Sequence, residues 1–177
     1  MPQLIAPDVR FHASFLGAMK EFLDEGSDPN AVLAHEVEEF GGSWHEPDVF
    51  AAYVARQHAE SLEDGPRPEG WVPNTNLWYV DGDTYLGRLA IRHRLTPFLL
   101  ELGGHVGYAV RPSARRRGHA GAMLRDSLPY ARRLGIDSVL VTCDIDNHAS
   151  RRVIEANGGV LEDERGLRRR YWIRTGL

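Results

Sequence analysis

The chain is nearly empty of several things. One cysteine, Cys143, occurs in 177 residues. That excludes an internal disulfide framework and fits a reducing compartment. One of the 21 basic residues, Lys20, is a lysine, and the rest are arginines. Arginine's planar fork suits bidentate binding of anions, but this bias alone assigns no ligand. No apolar run reaches the length of a membrane span, so none is expected. The segment Met-Pro-Gln-Leu-Ile-Ala-Pro-Asp lacks a basic stretch followed by an apolar one, so no signal peptide is expected. A cytoplasmic protein is the resulting expectation. The histidines form neither HExxH nor another ligand spacing, so no metal site is expected.

What is present fits one domain, residues 1–177, with 42% hydrophobic residues and a sizeable core. The net charge of −4 hides an asymmetry. Residues 1–87 carry 16 acidic and 4 basic side chains, whereas residues 88–177 carry 9 acidic and 17 basic. The basic half suits a polyphosphate, and the acidic half could draw in a cation. A pI near 6.1 argues against a nucleic-acid partner. GxxxxGK[ST] is absent and the glycines do not match GxGxxG, which excludes the commonest nucleotide loops.

Hydrophobic period sets the elements. A short strand over 3–5 precedes a helix carrying Phe11, Phe15, Leu16, Met19, Phe22 and Leu23, stopped by Gly26, Asp28 and Pro29. A second helix covers 31–40, Gly41-Gly42 breaks it, and Pro47 opens a third that runs to about 62. Glu63 to Pro73 is a loop. Strands over 77–80 and 84–91 form a hairpin through Asp81-Gly82-Asp83. Leu95 to Leu102 is a loop or one helical turn. Then follow a strand (105–111), a helix (118–134), a strand (138–143), a helix capped by Asn147 or Asp146, and a hairpin (160–163, 168–173). Strand–helix–strand over 105–143 implies a right-handed parallel crossover. The expected class is α/β: a mixed sheet with helices on both faces.

The most informative stretch is Val110-Arg-Pro-Ser-Ala-Arg115-Arg-Arg-Gly118-His-Ala120-Gly121. An apolar strand ends at a proline, three arginines follow, and small residues open a helix. A helix N-terminus leaves N–H groups unpaired and carries partial positive charge. Gly118, Ala120 and Gly121 allow close approach, and Arg115, Arg116 and Arg117 add full charges. The whole suits a pyrophosphate.

Arg115-x-x-Gly118-x-Ala120 between strand and helix resembles motif A of the GNAT superfamily of acyl-CoA-dependent N-acetyltransferases. Asn147-x-Ala-Ser150-Arg-x-Val-Ile154-Glu-x-Asn157-Gly158-Gly159 resembles its motif B. The resemblance covers residues 74–173, the expected acetyl-CoA-binding core. Residues 1–73 match loosely, as variable substrate-side helices. It implies a mostly antiparallel sheet with a central, splayed parallel pair, and acetyl-CoA as co-substrate with no metal. Tyr108, Ala109 and Val110 would pair with the pantetheine arm, an N–H of that strand polarising the thioester. Arg115, Arg116, Arg117, Gly118, His119, Ala120 and Gly121 would wrap the pyrophosphate. Asn147 would contact the arm, with Ser150 beside it; Asn147 also reads as a plain helix cap.

Many members carry a tyrosine general acid in motif B, and this chain has Ile154 there. Tyr108 and Tyr171 are substitutes. His105 is the first candidate for general base, with a structural hydrogen-bonding role as its alternative, and Glu101 is the second. Cys143 reads as an inert buried thiol. Trp44, Trp71 and Trp78 read as core or as an acceptor pocket, and Glu36, Glu38 and Glu39 as a solvated helix face. The expected reaction is acetyl transfer to a primary amine of a small molecule or peptide by direct attack. A non-catalytic acyl-CoA-binding sensor of the same fold is the alternative. The final hairpin would allow a homodimer, and neither nucleic acid nor membrane is an expected partner.

Overall fold

The hairpin at the centre of the chain organises the fold. In the computed structural model, which describes residues 1–25 and 31–176, β1 (Gln3–Ile5) leads through a single 3-10 turn into α1 (His12–Asp24). Two more helices follow, α2 (Ala31–Phe40) and α3 (Pro47–Ala59). β2 (Asn74–Asp81) and β3 (Thr84–Arg92) then form the long hairpin, turning at Gly82, whose φ is 55°. After a π-type turn (Leu99–Gly103) come β4 (Val106–Val110), α4 (His119–Arg133), β5 (Ser138–Asp144), α5 (His148–Ala156), β6 (Val160–Arg165) and β7 (Arg168–Arg174). Residues 26, 28 and 29, expected to stop the first helix, lie outside the described residues. The third helix ends at Ala59 rather than near 62, because the next N–H groups, of Ser61 and Leu62, turn back three residues to the His58 and Ala59 carbonyls instead of four.

The strands make two antiparallel sheets, ordered β1-β2-β3-β4 and β5-β7-β6. β4 and β5 meet at one joint. The His105 N–H donates to the Leu140 carbonyl at 2.7 Å, and the Leu140 N–H donates back to His105 Nδ1 at 2.9 Å. Gly104 makes the joint possible. Its φ is 63°, and a Cβ there would stand 2.5 Å from the Leu140 oxygen. Beyond the joint no ladder links β4 to β5 among the described residues. The expected splayed pair is therefore a wedge, closed at His105 and open toward Val110.

Two cores flank the first sheet, and strand alternation assigns them. Leu89 and Ile91 of β3 face α4 and α5, packing with Met123, Leu124, Val139, Val141 and Ile154. The opposite face meets α1 and α3 in an aromatic cluster of Phe15, Trp44, Phe50, Tyr53, Trp78 and Tyr85. Phe15 stacks on Trp78 at 5.4 Å and meets Trp44 edge-on at 5.1 Å. Trp44 and Trp78 are thus core, whereas Trp71 is exposed.

Glu36 corrects the sequence reading. Its carboxylate is buried against Arg88, which grips it with both Nη atoms, and Tyr53 Oη and Gln57 Nε2 donate to it at 3.0 and 2.9 Å. Part of the charge asymmetry is likewise matched within the fold. Glu21, Glu25, Glu36 and Glu63 of the acidic half pair with Arg111, Arg115, Arg88 and Arg94 of the basic half.

Candidate functional site

β4 has one edge without a partner strand among the described residues. The Arg111 N–H bonds the Leu86 carbonyl and the Arg92 N–H bonds the His105 carbonyl, both across β3 and β4. Alternation then turns the N–H groups of Tyr108 and Val110 away from β3, into the wedge. A cleft of about 680 Å³ opens there, walled by Tyr108, Ala109 and Val110 of β4. Asn147, Ser150 and Arg152, from the start of α5, form the facing wall.

The closing loop is braced from α1 and bent into the start of α4. A 3-10 turn, Pro112–Ala114, is held down by α1: Glu21 accepts from the Ser113 N–H at 2.9 Å and pairs with Arg111 at 2.6 Å. Those contacts hold the Glu21 carboxyl down at about 2. Arg116 then takes φ 64°, the only positive φ of a non-glycine among the described residues, and Gly118 takes 82°. Left-handed residues two apart bend the chain sharply into the start of α4. Gly118 also begins α4 without a side-chain cap. The Ala122 N–H is the first to reach a helical carbonyl, that of Gly118. The amides of His119, Ala120 and Gly121 precede it, and these residues line the cleft. α5 differs: Asn147 Oδ1 accepts from the Ser150 N–H at 3.0 Å, so the cap reading of Asn147 holds while the residue also lines the cleft.

The arginines divide. Arg116 lines the cleft and Arg117 does not. Arg115 lines it, but its charge is shared with Glu25 through both Nη atoms, and its Nε donates to the Val110 carbonyl at 3.1 Å. Arg115 therefore ties the loop to α1. Arg152 lines the cleft and was not singled out from the sequence, nor was Phe22 of α1. The signal for Arg152 was its place on the α5 face that also carries Ala149, Ser150 and Val153.

The titratable candidates separate as well. Tyr108 Oη and Ser150 Oγ are hydrogen-bonded at 2.7 Å inside the cleft, and burial pushes the Tyr108 hydroxyl up to about 12. His105 lies at the closed joint and is not among the cleft residues. Burial, then the charge of Arg92, lowers it to about 4. Its Nδ1 lone pair is occupied by the Leu140 N–H, so the neutral ring carries its hydrogen on Nε2. That arrangement matches the structural alternative rather than a base. Glu101 pairs with Arg165. Tyr171 is buried and donates to Glu155 at 3.3 Å, outside the cleft. Cys143 is buried, which raises its thiol. No cluster able to hold a metal occurs among the described residues, and no helix among them is long and apolar enough to cross a membrane.

A family model described as an acetyltransferase (GNAT) domain matches residues 26–160. The chain belongs to the GNAT acetyltransferase family. No curated protein matches it. Among solved structures, the ribosomal L7/L12 alpha-N-protein acetyltransferase RimL in complex with coenzyme A is similar at 17% identity, with a TM-score of 0.63 over 98% of this chain and 93% of the other. The PaiA N-acetyltransferase of Thermoplasma acidophilum in complex with coenzyme A is 10% identical, with a TM-score of 0.60 over 98% and 99%. An N-acetyltransferase of Staphylococcus aureus Mu50 is 13% identical, with a TM-score of 0.60 over 99% of both chains. At such identities these likenesses establish the GNAT fold alone. Within that fold, the cleft and the unpaired edge of β4 stand where motifs A and B meet.

Proposed function

We propose that this GNAT protein transfers an acetyl group from acetyl-CoA to a primary amine of a small molecule or peptide, by direct attack. One observation carries the reading: the uncapped first turn of α4 and the free edge of β4 open into the same cleft. The first offers amides and positive dipole to a pyrophosphate. The second offers main-chain partners to an amide-rich arm, as an added strand would take them. Arg116 and Arg152 supply the charge.

Within this reading the β4 N–H groups facing the wedge polarise the thioester carbonyl. The amine nitrogen bonds to the acetyl carbon, the carbon–sulfur bond breaks, and the sulfur takes a proton as the nitrogen loses one. Tyr108 is the donor to sulfur, because its hydroxyl stays protonated and Ser150 can return the proton from solvent. His105 holds the wedge shut and does not take the amine proton.

The sensor alternative rests on Ile154, which is fully buried in the core at the motif B tyrosine position. Two measurements decide. Acetyl-CoA should raise the Tm by binding the folded state, and free thiol should appear when an amine panel is added. A shift without thiol release supports the sensor, and no shift at millimolar ligand removes both readings.

A further inference from the structure

A second pocket, of about 430 Å³, lies on the other face of the sheet. Ala90 and Arg92 of β3, Asn74 of β2, Trp71, Phe98 and Leu99 line it. Its walls are mostly apolar, and Trp71 and Phe98 stay exposed. Into this pocket projects one cation without an acid. Arg92 Nη1 donates to the carbonyls of Gly103 and Gly104 at 3.0 and 3.2 Å, and no carboxylate lies within 4 Å of the guanidinium among the described residues. Nε and Nη2 have no protein acceptor among those residues. Arg88, Arg111, Arg115 and Arg170, by contrast, meet carboxylates. Burial alone lowers Arg92, with no acid nearby to offset it. Glu69, the pocket's one acid, is exposed.

The pocket is lined by residues of β3, the strand paired with the one that walls the cleft. Ala90 pairs with Gly107, the residue before Tyr108. Arg92 Nη1 and Nη2 lie 3.6 Å from where a Cβ of Gly107 would stand. A Cβ at Gly107 would stand in van der Waals contact with the guanidinium. Tyr108 points to the α5 face, so residue 107 presents the opposite face, toward this pocket. Donor cleft and second pocket thus approach one strand from its two sides.

We propose that this pocket receives the acceptor, and that the acceptor is an amine carrying a carboxylate and an apolar or aromatic group, such as an apolar amino acid. Arg92 binds the carboxylate through its free fork, Trp71, Phe98 and Leu99 cover the apolar group, and the amine is left beside β4. This rests on the acetyl-transfer reading and adds the acceptor's class to it.

The test uses matched ligands on the wild-type protein first. Phenylalanine, phenylalaninamide and phenethylamine are compared in the thiol-release assay, and 3-phenylpropionate, which has no amine, is titrated by calorimetry. The expected result is a KM for phenylalanine lower by about tenfold or more than for the two ligands lacking the carboxylate, and measurable binding of 3-phenylpropionate. Arg92→Ala should erase both differences, and Arg92→Lys should restore part. The Tm shift with acetyl-CoA should persist in both variants, which shows that they fold. Equal KM values, or 3-phenylpropionate binding unchanged by Arg92→Ala, overturn the inference while acetyl transfer stands. Absence of the acetyl-CoA shift in the wild type removes the underlying reading instead. Inorganic phosphate binding tighter than 3-phenylpropionate also overturns the carboxylate assignment.

Discussion

Tyr108 on β4 and Ser150 on α5 are joined hydroxyl to hydroxyl at 2.7 Å, although 42 positions separate them. This contact crosses the wedge and links motif A's strand to motif B's helix. It also places a protonated phenol inside the cleft in a chain whose motif B tyrosine is an isoleucine.

Tyr108→Phe removes only the hydroxyl. If the phenol delivers the proton to sulfur, kcat should fall about 10²-fold or more while the acetyl-CoA Tm shift stays within a degree or so of wild type. Ser150→Ala should cost less, since solvent can still reach the phenol. An unchanged kcat for Tyr108→Phe would assign the tyrosine to strand packing alone.

Gly118 sits at φ 82° with open space where a Cβ would go. Alanine there strains the backbone without a clash, by about 1–2 kcal/mol, or a loss of roughly 2–8 °C in Tm for a chain of this size. Gly118→Glu adds negative charge beside the uncapped amides and should abolish stabilisation by acetyl-CoA. Retention of the full shift in Gly118→Glu would remove the loop from the binding site.

His105 makes stability depend on pH with a definite sign. The folded chain holds the imidazole neutral down to about 4, whereas the unfolded chain protonates near the ordinary histidine value of about 6.5. The unfolded state therefore binds the extra proton between those values. The stability contributed is complete above pH 6.5 and is lost as pH falls toward 4, by about 3 kcal/mol at most. His105→Asn keeps an acceptor for the Leu140 N–H and does not titrate. Urea midpoints at pH 7 and pH 4.5 should converge in that variant relative to wild type; parallel losses in both proteins would discard the assignment.

Arg88 and Glu36 form a buried pair with two further donors on the carboxylate. Arg88→Met leaves a buried negative charge and should cost about 3–5 kcal/mol. Glu36→Leu combined with Arg88→Met should recover part of that loss, with Tyr53 and Gln57 left lacking an acceptor. Additive losses in a denaturation double-mutant cycle would mean the two side chains do not act as a pair.

What the sequence made legible is what is local. The RxxGxA loop, the Asn147 cap and the hairpin at Gly82 depend on neighbours a few positions apart and fall where expected, although the first hairpin strand starts at Asn74 rather than Leu77. Contacts between distant positions were hidden. Glu36 resembled a solvated helix residue because Arg88 is 52 positions away. That Arg115, a cleft residue, is also held by Glu25 was hidden because Glu25 lies 90 positions upstream. Arg152 lay unnoticed because motif B draws attention to Asn147 and Ser150, while the helix turns one more face residue into the cleft. His105 attracted a catalytic reading by its position on β4. The hydrogen bond from the Leu140 backbone, which occupies its lone pair, depends on Gly104 bringing two strands together.

The joint at His105 and Leu140 has one more consequence. Two strands fastened at a single end leave a gap that narrows steadily and then stops, and a chain threaded from the wide end can advance only until the space runs out. On the proposed reading the fastening acts as a ruler for the acyl group. Short chains stop before it, and each added carbon must be forced against a tied backbone. Selectivity by length would then reside in no dedicated side chain, but in the place where the two sheets are tied.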